Sequence, residues 1–272
     1  MTRLSAAQRR AFGRVSRAHA AGVQTAQRRF TVALRAIMRG VHAAFMDYLE
    51  PAGKALVADA AKKKQAVKRK IKGPGTKPTK SAAQDIQKVQ DHVIPQIAPM
   101  VATAHVQLEG ALAANYAATM TEVMPIGWER LASTVKAEAA IHRDWTIKLV
   151  EDAARVYAQQ VRDVFNDPEE TTGKRWEELK ASLLERGSVS ESRAELIARD
   201  QTLKLNGAIT KANQQAAGVD KYVWSTSRDE RVRDTHAELD GKVFSWAAPP
   251  KPGHPGQDYQ CRCIAVPLLE DD

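Results

Sequence analysis

Apolar side chains recur every three or four positions through most of the first 210 residues, and that period commits the chain to long amphipathic helices. The clearest run is "AQRRFTVALRAIMRGVHAAFMDYLE". Phe30, Leu34, Ile37, Met38, Val41, Phe45, Tyr48 and Leu49 mark one face, with Arg28, Arg29, Arg35 and Arg39 opposite. Pro51 and Gly53 read as its stop. Helical spacing resumes from Ser81 to about Asn166, through Ile86, Val89, Val93 and Ile97, then Val101, His105, Leu108, Leu112 and Tyr116. Pro95 and Pro99 are expected to kink or break it. A further run carries Ile141, Trp145, Leu149, Val156, Val161, Val164 and Phe165 as far as "NDPEETTGK". From Trp176 the pattern predicts two helices separated at Gly187. The second opens on a capping box, Ser188 with Glu191 or Ser192 with Glu195, and is striped by Leu196, Ile197, Leu203, Leu205 and Ile209.

After Gly218 the period changes. "KYVWSTS", "GKVFSW" and "CRCIAVPLL" are short, β-branched and aromatic, and are separated by Asp, Gly and Pro clusters, which predicts a small antiparallel sheet. The expected fold is therefore mainly α with a small C-terminal α+β domain, long amphipathic helices leading to a helix pair packed on a short antiparallel sheet. Along the chain this predicts a basic N-terminal helical region over 1–58 and a flexible Lys/Pro/Gly-rich linker over 59–82. A helical region over 83–184 and the α+β domain over 185–272 complete it.

Charge is segregated along this plan. Residues 1–80 hold 19 lysines and arginines against three acidic residues, a net +16, while the remaining 192 residues hold 22 against 29, a net −7. Such a front end suits a polyanion and such a back end suits protein contacts. In "KKKQAVKRKIKGPGTKPTK" seven of the first eleven residues are basic, Lys62, Lys63, Lys64, Lys68, Arg69, Lys70 and Lys72, and a Gly-, Pro- and Thr-rich end follows. The stretch reads both as a solvated linker and as an arm that neutralises phosphates without reading sequence. With no aromatic residue between Tyr48 and Tyr116, base stacking is not indicated. Two cysteines in 272 residues exclude a secreted disulfide framework. The basic N-terminus lacks an apolar signal core and no run approaches eighteen apolar residues, so a reducing cytoplasm and no membrane span are expected. His92, His105 and His142 read as core or surface histidines.

Chemistry concentrates in "WSTSRDERVRDTHAELDGKVFSWAAPPKPGHPGQDYQCRC", residues 224–263. A disulfide between Cys261 and Cys263 would close a small strained ring. His236, His254, Cys261 and Cys263 form a suitable set for tetrahedral zinc. On the other reading, two reduced cysteines pack on a strand while His236 bonds Asp234 or Asp240. Asp229, Asp234, His236 and Asp240 also raise a hydrolytic metal centre, although their spacing matches no nuclease motif. A Cys–His nucleophile pair would lack a group to orient it.

Together with the preceding "RAELIARDQTLKLNGA", this stretch resembles the head morphogenesis domain of the phage Mu protein F-like minor head proteins of tailed bacteriophages and prophages. The resemblance covers about residues 185–268. It rests on Arg193, Ala194, Ile197, Ala198, Arg199, Asn206, Trp224, Asp229, Val232, Arg233, His236, Asp240, Gly241, Pro249 and Pro250, and on the Cys261, Arg262, Cys263 ending. In "ARDQ" the chain departs from the Thr and Glu associated with the family, so Gln201 fills no acidic role. The resemblance implies a portal-associated minor head protein with no catalytic residues, placed inside the virion near the packaged genome. Its implied partners are the portal protein and the major capsid or scaffold protein, while the basic front end by itself suits double-stranded DNA held through its backbone. Two other classes stay open: a cellular DNA-binding or regulatory protein, for which no helix-turn-helix is found, and a phage-delivered metal-dependent enzyme or toxin.

Overall fold

The structure, a computed structural model, describes residues 6–67, 80–121, 133–171 and 174–268. Helices α1 (Ala6–Val67), α2 (Lys80–Met120), α3 (Ser133–Asn166), the single turn α4 (Pro168–Thr171) and α5 (Trp176–Ala216) come first. The strand β1 (Lys221–Ser225), the one-turn helix α6 (Asp234–Ala237), β2 (Val243–Ser245) and β3 (Ile264–Leu268) follow. The expected mainly helical fold with a small antiparallel sheet is observed, with strand order β2-β1-β3.

Two compact units are built from separated stretches, and each of the long helices lends residues to both. One comprises Ala33–Val101 and Ile147–Leu196. Its core holds Leu34, Met38, Phe45 and Leu49 of α1, Ile86 and Ile97 of α2 and Val161 of α3 from the stripes read in the sequence, joined by Tyr157 of α3 and by Leu179 and Leu183 of α5, all fully buried. Each such side chain contributes about 1.5–3 kcal/mol, so burial along the stripe, and not helix propensity, holds these helices.

The other unit comprises Met1–Val32, Ala102–Thr146 and Ile197–Asp272. Val15, Val23 and Phe30 of α1, Leu108 and Leu112 of α2, Val135 of α3 and Leu205 and Ile209 of α5 are buried in it, along with the sheet. Gln214 joins α5 to that sheet: its amide donates to the Ala265 carbonyl at 2.9 Å and accepts from Trp246 Nε1 at 3.0 Å. Trp224, in the central strand, is wholly buried and pairs with Ala265 in β3.

Three expected breaks do not occur. Helix α1 passes through Pro51 and Gly53 and takes in residues 59–67; residues 68–79 lie outside those described. Helix α2 passes through Pro95 and Pro99. In each case the residue four positions earlier, Asp47, Asp91 or Pro95, is exposed, so solvent is at hand for the carbonyl that lacks an amide donor. Gly53 serves packing, because a methyl group there would overlap the Trp176 ring. Helix α5 is likewise continuous through Gly187, whose absent side chain makes room for the His42 ring. The expected capping serines turn inward to the helix itself: Ser188 Oγ donates to the Glu185 carbonyl at 2.7 Å, and Ser192 Oγ to that of Ser188 at 3.1 Å. Ile141, Trp145 and Val156, expected on an apolar stripe, are 52%, 60% and 41% exposed, because the buried face of α3 runs instead through Ala139, Thr146, Val150 and Tyr157; Tyr48 and Leu196, also expected on such stripes, are exposed too.

Candidate functional site

The period of an extended chain explains the Cys-x-Cys spacing. Cys261, Cys263 and Ala265 fall on alternate positions, face one side, and join Tyr222, Trp224 and Trp246 in a single buried cluster. Between the cysteines, Arg262 turns the other way and grips Asp229 through both guanidinium nitrogens. That pairing holds the Asp229 carboxyl below its ordinary range.

Helix α6 contributes one buried side chain, His236. Its Nδ1 lies 3.6 Å from Cys261 Sγ and 3.5 Å from Cys263 Sγ, and its other ring nitrogen, Nε2, lies 3.2 Å from Asp258 Oδ2. The Trp224 ring meets the imidazole edge-on, with centroids 5.5 Å apart. The two thiols act as a pair: a hydrogen bond from Cys263 lowers Cys261, while the same bond and burial push Cys263 up. His254 lies apart from this group. Its Nδ1 hydrogen-bonds Tyr222 Oη at 2.9 Å and its ring packs on Trp246, so the four-residue set expected from the sequence is brought together only as His236, Cys261 and Cys263.

The other motif residues hold the loops around these three. Arg233 donates to Asp258 Oδ2 at 3.0 Å and to the Tyr259 carbonyl at 2.8 Å. Asp240 accepts from the Thr226 amide at 2.8 Å, from Thr226 Oγ1 at 3.1 Å and from Arg228 Nε at 3.1 Å. Next to it, Gly241 takes a positive φ of 77° and donates its amide to the Trp224 carbonyl, a conformation that disfavours any side chain. Asn206 Oδ1 bonds His19 Nε2 at 3.1 Å. Ala194, Ile197 and Ala198 are buried on α5, Val232 is half-buried, Arg193 and Pro249 are exposed, and Arg199 and Pro250 are half-buried. The carboxylates of Asp229, Asp234 and Asp240 do not gather with His236 into a metal-binding group among the described residues, which leaves the nuclease arrangement without its geometry.

Several residues that matter here carry no signal in the sequence. Asp200 accepts the Gln260 amide at 2.9 Å and so fixes the loop before Cys261. Gly207 and Gly256 bring α5 against that loop: a methyl on Gly207 would sit 2.7 Å from the Pro255 carbonyl oxygen. His19 is wholly buried, bonded to Asn206 and, at 3.0 Å, to Thr119 Oγ1, and burial lowers it to about 4. A cavity of about 330 Å³ adjoins the cysteines, with Ser16, Arg17, Asn206 and Arg228 in its wall.

Among the basic residues singled out from the sequence, Arg28 and Arg29 are exposed and free of ion pairs to described residues. Arg35 and Arg39 are drawn to α5 carboxylates instead. Arg35 lies 3.4 Å from Glu191 and 3.7 Å from Glu195, and Arg39 lies 3.4 Å from Glu191. Lys62, Lys63 and Lys64 fall within α1, whereas Lys68, Arg69, Lys70 and Lys72 lie outside the described residues. Arg10, Arg14 and Arg17, not picked out before, are exposed on the same stripe of α1 as Arg28.

Comparison with known proteins converges on this part of the chain. Residues 169–266, from α4 into β3, match the family described as phage Mu protein F like protein. The matched residues take in the Cys–His cluster and its supporting loops, in agreement with the motif resemblance. Over 96 residues, 35% of its length, the chain is 48% identical to an uncharacterized protein of Haemophilus influenzae. The match spans 22% of that relative's length. No solved structure matches the chain.

Proposed function

We propose that this chain is a minor head protein of a tailed bacteriophage or prophage, associated with the portal and acting in head morphogenesis. The observation that carries the reading is the family match over residues 169–266. The side-chain pairings agree with it: Arg262 with Asp229, Arg233 with Asp258 and Asp240 with Thr226 are spent on holding loops, as a docking module requires. No helix among the described residues is long and apolar enough to cross a membrane. In this reading the C-terminal region engages portal, capsid or scaffold protein in the head interior, and the exposed arginines of α1 lie on the backbone of packaged double-stranded DNA.

Coexpression of the tagged chain with the portal protein of the phage or prophage that encodes it tests the docking half. The two are expected to copurify through gel filtration at a fixed ratio, and the Asp240→Ala chain, which loses the anchor of Thr226 and Arg228, is expected to bind at least tenfold less. A portal ring that never retains the intact chain would contradict the reading.

A further inference from the structure

We infer that His236 Nδ1, Cys261 Sγ and Cys263 Sγ form a three-ligand protein site for a thiophilic divalent cation, zinc being the fitting one. The three atoms lie within 4.8 Å of one another and all three residues are buried. The nitrogen–sulfur separations of 3.6 and 3.5 Å are the decisive measure. In a tetrahedron with metal–sulfur bonds of about 2.3 Å and metal–nitrogen bonds of about 2.0–2.1 Å, an N–S edge is about 3.6 Å long. The cluster therefore already has the spacing of two edges of such a site, without rearrangement.

The surroundings supply what bound thiolates and an imidazole need. Metal on Nδ1 leaves the imidazole proton on Nε2, a buried nitrogen that lies 3.2 Å from Asp258 Oδ2 and has no other partner among the described residues. Asp258 is itself held by Arg233, giving the carboxylate–histidine–metal arrangement that orients a ligand. The Gly256 amide donates to Cys261 Sγ at 3.5 Å. Trp224 Nε1 is buried beside the cluster with no hydrogen-bond partner among the described residues. A thiolate accepts the Gly256 bond better than a thiol does. No fourth His, Cys, Asp or Glu of the described residues joins the group. The metal would pin α6 to the approach to β3, and so fix the loop carrying Asp229 and Arg233. This inference is independent of the head-protein reading, because it concerns the chain in isolation.

The test is metal analysis and cobalt titration of the full chain, purified with a phosphine reductant and no chelator. About one zinc per chain is expected, and Co²⁺ added to chelator-stripped protein is expected to give sulfur-to-cobalt charge-transfer absorption that zinc abolishes. Cys261→Ser and Cys263→Ser should each lose that absorption, Asp258→Asn should weaken zinc binding about 10–100-fold, and His254→Gln should change nothing. Folded protein that takes up no zinc and shows no charge-transfer band would overturn the site, as would full binding by the Cys261→Ser/Cys263→Ser double variant. Should the serine variants fail to fold, the cobalt spectrum of the unaltered chain decides alone.

Discussion

Acidification from pH 7 to pH 4.5 is expected to destabilise the unit formed by Met1–Val32, Ala102–Thr146 and Ile197–Asp272 by several kcal/mol. Two wholly buried histidines cause this. Burial lowers His19 to about 4, opposed by its bond to Asn206. Burial also lowers His105 to about 4, helped by the nearby charges of His142 and Arg143, and both of its ring nitrogens lack a hydrogen-bond partner among the described residues. Above pH 6.5 both are neutral, folded or unfolded, and contribute nothing pH-dependent. As pH falls through 6.5 the unfolded chain takes up protons that the folded chain refuses until about pH 4, so stability drains across that window. Each shift corresponds to roughly 3 kcal/mol, and two together approach the whole stability of an ordinary domain. Urea midpoints at pH 7.5, 6 and 4.5 measure it. His105→Leu, which removes two orphaned buried nitrogens, is expected to cost little at pH 7.5 and to abolish about half of the acid loss. A midpoint that stays constant between pH 6.5 and 4.5 would show that these rings are solvated.

Replacing Arg10, Arg14, Arg17 and Arg28 together by glutamine is expected to weaken binding to double-stranded DNA on the order of a thousandfold at 0.1 M salt. Each phosphate neutralised contributes about 0.9 to the slope of log affinity against log salt, so four lost contacts flatten that slope by about 3 to 4. The four side chains are exposed on one stripe, and the helical signal and thermal midpoint should not change. Deleting the whole N-terminal region is a poorer experiment, since Val15, His19, Val23 and Phe30 are buried. Arg35→Gln with Arg39→Gln provides the contrast: those two lie against Glu191 and Glu195, and their loss should move the slope by less than one. An unchanged slope in the fourfold variant would remove α1 as the DNA-contacting surface.

The apolar period made the helices and the three short strands legible, because burial of a stripe dominates everything local. Punctuation was not legible. Pro51, Gly53, Pro95, Pro99 and Gly187 look like stops in one dimension, yet exposed positions tolerate the prolines, and the two glycines admit Trp176 and His42 from distant parts of the chain. The candidate site was half legible. The alternation of Cys261 and Cys263 placed both thiols on one face, but His236 and His254 are equivalent in sequence, and only the turn of α6 and the Tyr222 hydroxyl tell them apart. Asp258 and Asp200 gave no signal, since their partners are a ring nitrogen and a backbone amide set by the fold. Arg35 and Arg39 share the spacing of free surface arginines, and their glutamates lie more than 150 residues away in the chain.

The most direct test of the head-protein account is quantitative mass spectrometry of purified DNA-filled heads, with the portal protein as internal standard. The account predicts this chain in every head, at an abundance near that of the portal and far below that of the major capsid protein. Heads that fill with DNA at the normal frequency while containing none of it would contradict the account.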